Sequence, residues 1–234
     1  MISVILSCFN ETNNPYFPRL LEQFKNQDKF ELIVVDGGSS DSTHAVLNAH
    51  AIPYLVLENS TRAARLHHGI EQASFEHILL QHPRSLIEPE GIAYLLSHHA
   101  PLNWAAFKHR FDHKHLLLRY ISWYSNRVRV GKKQITYLDH CIVLNRNCYT
   151  EAIPDIAIFE DTALSYQLQK HTAPQLLPFY ATTSAIRFLD RGILRQFLMN
   201  QSLKLLYHSG VSPKVINRFY ESKLNLNQIN AKIF

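Results

Sequence analysis

The sequence predicts an α/β fold with a mixed, mostly parallel sheet flanked by helices, and three observations carry that expectation. Short β-type runs alternate with helical patterns through the first hundred residues, which implies parallel strands joined by right-handed crossovers. Leu32–Val35 is continuously apolar, as in a strand covered on both faces. That run leads straight into Asp36-Gly-Gly-Ser-Ser-Asp41, an acidic turn whose glycines permit a sharp reversal and close approach of a ligand, and which can open a helix.

The elements follow in order. Ile2–Ser7, Glu31–Val35, Pro53–Leu57 and Ile78–Gln81 read as strands, and Pro15–Asn26, Ser42–His50, Arg62–Ala73 and Glu88–Ser97 as helices. Asn13 or Asn14 before Pro15 makes one helix start, and Asp41-Ser42-Thr43 another. Beyond residue 100 the pattern changes. Trp104–Phe111 reads as a strand, Leu116–Val130 as an aromatic and basic helix, Cys141–Leu144 as a short strand, and Phe159–Lys170 as a helix opening with Glu160-Asp161. Gly192–Ser209 and Ser212–Leu224 read as two basic amphipathic helices, giving a helical C-terminal extension. Few glycines and no long linker point to one domain.

Composition narrows the function. The formal net charge of +5 is unevenly spread: residues 1–100 carry 6 Lys or Arg against 11 Asp or Glu, and residues 101–234 carry 18 against 8. The second half can therefore face an anionic partner such as a phosphate, an acidic glycan or a lipid headgroup layer. Nucleic acid is not expected, because no recognised binding motif accompanies the charge. Cys8, Cys141 and Cys148 are too few and too scattered for a disulfide framework or a zinc site. The paired and grouped histidines, His67-His68, His98-His99 and His109, His113 and His115, lack a His-Glu-x-x-His pattern and read as solvated or packed. No Gly-x-Gly-x-x-Gly and no Walker loop is present, against a dinucleotide oxidoreductase or a P-loop NTPase. A strand that begins at Ile2 without a basic, apolar leader suggests a cytoplasmic location, and no apolar run reaches the roughly 18–20 residues of a membrane span.

Asp36 stands at the carboxyl end of its strand, where ligands of open α/β sheets bind, so its carboxylate could accept from a base imide or a ribose hydroxyl. Turn and N-cap chemistry accounts for Asp36–Ser42 equally well.

Ser3–Ser7 with Asn10-Glu11, Val35–Asp41, Arg62-Ala-Ala64 with Gly69, and Phe159–Ser165, in this order and spacing, resemble the family 2 glycosyltransferases. The likeness is greatest to the small bacterial subgroup associated with arsenosugar biosynthesis. It implies a GT-A fold in which residues 1–190 form the transferase unit, 1–100 being its nucleotide-binding half and 101–190 its acceptor half, with 191–234 packed on it. It also implies inverting transfer of a sugar, of the hexosyltransferase class, from a nucleotide-diphosphate donor to a hydroxyl acceptor of unknown identity. By that resemblance Asp161 is the base, supported by Glu160. Asn10, Glu11 and Asp36 lie near base and ribose, Arg62, His67 and Arg187 near the donor, and Asp139 and His140 near the acceptor.

The resemblance also exposes departures. Relatives hold a divalent metal, Mg or Mn, with Asp-x-Asp or His-Ala-Asp where this chain has His82-Pro83-Arg84. Arginine is a permanent cation with no acceptor, so the usual carboxylate motif is absent and no metal ligand is assigned. Arg84 can instead supply positive charge to a leaving diphosphate. His67 stands where an asparagine is common, and Leu138-Asp139-His140 where Gly-Asp-Gln is typical. These changes keep open an alternative, a catalytically inactive GT-A-like binding or scaffold protein. Tyr120, Trp123 and Tyr124 among Arg119, Arg127, Arg129, Lys132 and Lys133 further suggest peripheral contact with an anionic membrane, at its inner face, and core packing accounts for the aromatic face equally well.

Overall fold

The computed structural model describes residues 1–25, 27–97 and 103–224. The expected helix end at Asn26 and the His98-His99 pair lie outside the described residues. The first half runs β1 (Ile2–Cys8), α1 (Phe17–Lys25), β2 (Phe30–Asp36), α2 (Thr43–Ala49), β3 (Tyr54–Val56), α3 (Arg62–Gln72), β4 (His77–Gln81), β5 (Ser85–Ile87) and α4 (Pro89–Ser97). The second runs β6 (Trp104–Phe111), α5 (Leu116–Tyr124) widening into a π-helical turn at Ser125–Val130, a 3₁₀ turn at Leu138–His140, β7 (Ile142–Asn145) and a second 3₁₀ turn at Arg146–Cys148. It closes with α6 (Glu160–Gln169), β8 (Gln175–Thr183), α7 (Ile186–Arg191), α8 (Ile193–His208) and α9 (Pro213–Leu224).

The strands form one mixed sheet in the order β3-β2-β1-β4-β7-β6-β8-β5. The expected parallel pairing holds across the first four strands, since β1 pairs parallel with β2 and β4, and β2 with β3. Beyond β4 the sheet is mixed: β4–β7 and β7–β6 are antiparallel, β6–β8 parallel and β8–β5 antiparallel.

The apolar runs have the cause expected of them. Along β1, Val4, Leu6 and Cys8 belong to a core with Phe17, Leu20, Leu21 and Phe24, the i, i+3, i+4, i+7 stripe of α1. Ile5 points the other way, into a second core with Leu66 and Ile70 of α3. A Cβ at Gly69 would lie 2.4 Å from the Ile5 methyl Cγ2, so α3 reaches β1 this closely because that position has no side chain.

Two strands escaped the sequence reading, β5 and β8. The β8 run contains Pro178, which argues against a central strand. The structure accommodates it with a register shift: Phe107 faces Leu177 and Lys108 faces Tyr180, and β5 joins β8 only from Ala181 onward. The expected amphipathicity of the first C-terminal helix is also corrected. Gly192, at φ +85, separates α7 from α8, and α8 buries Gln196 and Leu203 while exposing Leu194, Leu198 and Leu205. The extension nonetheless docks on the rest of the molecule: Leu203, Ile216 and Tyr220 form a core with Phe159, and Ile193 and Phe197 pack with Leu118 and Phe188. Among the described residues no helix is long and apolar enough to cross a membrane.

Candidate active site

The turn after β2 consumes its own carboxylate. Asp36 is fully buried, and its Oδ1 accepts from the amides of Gly38 (2.9 Å) and Ser39 (2.7 Å) and from His44 Nε2 (2.8 Å), while its Oδ2 accepts from Ser39 Oγ at 2.5 Å. Burial works against ionisation, but these donors outweigh it and hold the carboxyl below its usual value. Gly38 adopts φ +82, which the turn requires of it. Asp36 is thus the clamp of the turn, both of its oxygens accepting from the protein. Asn10 shares in it, its Oδ1 accepting from the Ser40 amide at 2.9 Å.

A cavity of about 240 Å³ lies beyond the carboxyl ends of β4, β6 and β8 and collects Arg62, His82, Arg84, Asp139, Asp161 and Arg187, six of the residues singled out by the sequence. Glu11 and Glu160 stand directly behind it: Glu11 Oε2 accepts from Arg84 Nε at 3.2 Å, and buried Glu160 pairs with Arg62. Three buried polar atoms here have no hydrogen-bond partner in the protein, Glu160 Oε2, Asp139 Oδ1 and Arg187 Nε. Orphaned atoms of both signs at one place are what a polar ligand would satisfy. Backbone strain gathers at the same place. Asn10 (φ 53), Cys141 (φ 51) and Phe159 (φ 68) hold left-handed conformations next to Glu11, Asp139-His140 and Glu160-Asp161.

The charges are set against one another. Burial and the neighbouring Glu160 raise the Asp161 carboxyl to about 7, Arg62 only partly offsetting them; its Oδ2 accepts from the Leu138 amide at 3.2 Å. Burial also opposes ionisation of Asp139, but His109, His140, His82 and Arg129 prevail and bring it down to about 2. Around Arg62, burial is outweighed by Glu160 and Asp161, which keep it firmly protonated. Arg187, with burial and Arg84 against it, falls to about 10.

Other expected residues lie elsewhere. His67 stands on α3 with Nδ1 2.8 Å from the Tyr149 hydroxyl and Nε2 3.5 Å from Glu71, away from the cavity lining. His140 is fully buried beneath it. Arg129 donates to Ser125 Oγ, so that hydroxyl donates to His140 Nε2, while His140 Nδ1 donates to the Phe107 carbonyl. Burial lowers its pKa to about 4, and both nitrogens are used, so His140 presents no free nitrogen to an acceptor.

The sequence reading missed three contributors. Arg129, placed there on a membrane-facing helix, is buried in the cavity wall with its guanidinium 3.9 Å above the Tyr137 ring. Lys204 of α8 enters the same wall, brought down to about 8 by burial and Arg129. Arg65, one turn beyond Arg62, donates to Ser7 Oγ (2.9 Å) and the Ser60 carbonyl (2.8 Å), closing the carboxyl end of β1. The i, i+3 spacing from Arg62 was a readable signal for Arg65; Arg129 and Lys204 come from distant segments and had none.

The family model of glycosyl transferase family 2 matches residues 3–147. The chain belongs to that family. The match covers the Asp36 turn, Arg62, Arg84 and Asp139 and stops short of Glu160-Asp161. No curated protein matches the sequence. Among solved structures, this family 2 chain is similar to Staphylococcus aureus TarS 1-349 in complex with UDP-GlcNAc, with TM-score 0.60, 18% identity, and coverage of 78% of this chain and 58% of that one. It is similar also to the mannosyltransferase PcManGT from Pyrobaculum calidifontis in complex with GDP-Man and Mn²⁺, with TM-score 0.58, 18% identity and 77% and 56% coverage. Mycobacterium tuberculosis glucosyl-3-phosphoglycerate synthase gives TM-score 0.52, 16% identity and 79% and 70% coverage. The shared fold is GT-A, and the chain spans about 60% of the length of TarS 1-349.

The turn after β4, His82-Pro83-Arg84, offers a divalent cation no carboxylate. Among the described residues no group of three His, Cys, Asp or Glu could hold one. At the end of β4, His82 Nδ1 lies 3.1 Å from Ser85 Oγ and accepts weakly from the Arg84 amide at 3.3 Å, and Arg84 adds a positive charge.

Proposed function

We propose that the chain transfers a sugar from a nucleotide-diphosphate donor to a hydroxyl acceptor with inversion at the anomeric carbon. The observation that carries this reading is the half-buried Asp161, its pKa raised to about 7, on a cavity walled by Arg62, Arg84 and Arg187. A carboxylate poised near neutrality suits a general base. As the acceptor oxygen attacks the anomeric carbon, its proton passes to Asp161, and the bond from that carbon to the diphosphate breaks with its electron pair leaving on phosphate. Arg84 and Arg187 stabilise that developing charge in the role a metal usually fills. Glu11 aims Arg84, Glu160 aims Arg62, and Asp36 acts indirectly by fixing the turn on the donor side. Asp139, with Arg129 and Lys204 beside it, faces the acceptor. The narrower likeness to the arsenosugar subgroup rests on motif order and leaves the acceptor undefined.

Calorimetric titration with UDP and GDP, first in EDTA and then with Mn²⁺, tests the donor site. Binding in EDTA that weakens about tenfold or more in Arg84→Ala is expected, since charge-assisted bonds to phosphate contribute roughly 1.5–3 kcal/mol.

One observation favours a second reading, the inactive GT-A shell. Gln196, Leu203, Lys204 and Tyr220 of α8 and α9 line the cavity, and its 240 Å³ is below the roughly 300–1,000 Å³ of small-molecule sites. Absence of nucleotide binding under every condition would select it.

A further inference from the structure

A second crevice, of about 870 Å³, opens between α5 and the β6–β8 edge, and its lining contains no Asp or Glu. Lys108, Arg119 and Arg127 face it, and among the described residues no carboxylate lies within ion-pair distance of any of them. Arg110 at its rim is already engaged by Glu88 at 3.0 Å. The interior holds two polar side chains without hydrogen-bond partners. His109, 1% exposed, has both ring nitrogens unbonded, with Nε2 3.7 Å from Asp139, and Ser122, 9% exposed, has its hydroxyl unbonded. Cations without a carboxylate partner, beside the unbonded Ser122 hydroxyl, describe a place for an anion, while His109 is turned toward Asp139 and Lys108 rests over the Tyr180 ring.

The helix bordering the crevice carries a second, independent feature. Leu116, Tyr120 and Trp123 fall at i, i+4 and i+7 and are 79%, 49% and 55% exposed, while Leu118 and Ser122 face inward. Arg119 and Arg127 lie on the same outward face. A helix that shows solvent an aliphatic and two amphipathic aromatic side chains between arginines matches the water–bilayer boundary, and Trp123 belongs to both the stripe and the crevice wall.

We propose that this face docks on an anionic lipid surface, with Leu116, Tyr120 and Trp123 entering the interface and the crevice receiving the phosphate of a headgroup. Phe111 lines this crevice and the candidate active site alike, so docking here sets the active-site cavity beside the membrane surface. The proposal does not depend on the donor chemistry.

Cosedimentation with phosphatidylcholine vesicles, with and without phosphatidylglycerol, tests it. The protein pellets with the anionic vesicles, and salt reverses this. The chain has two tryptophans, and Trp104 is fully buried, so a blue shift of emission on vesicle addition reports Trp123. The double variant Arg119→Glu/Arg127→Glu lowers partitioning at least about tenfold, two surface charges being reversed, while its circular dichroism melt and UDP titration match the unaltered protein. Trp123→Ala loses the emission shift and part of the pelleting. Equal pelleting of the double variant and the unaltered protein overturns the proposal. So does saturable binding of soluble glycerol 3-phosphate without any pelleting, which would mark a free-phosphate site.

Discussion

Asp36 and Asp161 both sit at the end of a secondary-structure element, the first fully buried and the second half-buried, yet their surroundings drive them in opposite directions. Burial opposes ionisation at each, so burial does not distinguish them. Donors do. The turn after β2 offers Asp36 two backbone amides, a hydroxyl and an imidazole, and its carboxyl falls below the usual range. The start of α6 offers Asp161 the Leu138 amide at 3.2 Å and its neighbour Thr162, while Glu160 adds like charge, and the carboxyl rises. One carboxylate is built into the scaffold, and the other is kept basic at some cost to the fold.

The largest effect that this contrast predicts is catalytic. Asp161→Asn keeps shape and removes the proton acceptor, so sugar transfer falls by about 10²–10⁴-fold, the usual share of a general base, while UDP or GDP affinity stays within a few fold. Single-turnover assays beside calorimetry separate the two, and transfer that survives the substitution would remove Asp161 from the mechanism.

Asp36→Ala acts on the other side of the contrast. It strips the turn of its acceptor and leaves the Gly38 and Ser39 amides and His44 without their carboxylate, which costs about 3 kcal/mol. For a chain of this size that lowers the melting temperature by roughly 6–12 °C, and urea unfolding should show the same loss. A variant as stable as the parent but unable to bind nucleotide would restore Asp36 to the ligand role that the sequence suggested.

How much of this was legible in the sequence follows the same division. The first half could be read because each β run is local and its burial is two-sided: β1 to β4 stand within a residue or two of the expected positions. The second half mixes strand directions, and its longest strand, β8, hides behind Pro178, tolerated where the register shifts beside an unpaired edge. In the site, motif residues that share a cavity were found in order along the chain: Arg62, Arg84, Asp139, Asp161 and Arg187. Whether a carboxylate faces a ligand or its own backbone was not readable, because Asp36 and Asp161 look alike until the amides around them are placed. Arg129 and Lys204 reach the cavity from a π-helical turn and a C-terminal helix, and no short-range pattern ties them to it.

The smallest predicted effect is a pH dependence of stability, and its sign follows from the two shifts. Asp36, lowered from 3.8, adds stability that is fully present above that value and disappears as pH falls through its still lower folded pKa. Asp161, raised from 3.8 to about 7, contributes in the opposite sense: its share is complete below 3.8 and is lost as pH rises through about 7. Buried His140, lowered from 6.5 to about 4, and His82 and His109, lowered likewise, make stability rise with pH over part of the same window. The total slope therefore blends opposing contributions, and the difference between the parent and Asp161→Asn isolates one of them. Urea midpoints of the two proteins should draw apart between about pH 4 and 7, with the asparagine variant the more stable toward pH 8, while turnover of the parent rises over the upper part of that range as the base deprotonates. Midpoints that run parallel across the whole range would mean that Asp161 ionises in the fold as freely as in the unfolded chain, and the proposed base would lose the seclusion that tunes it.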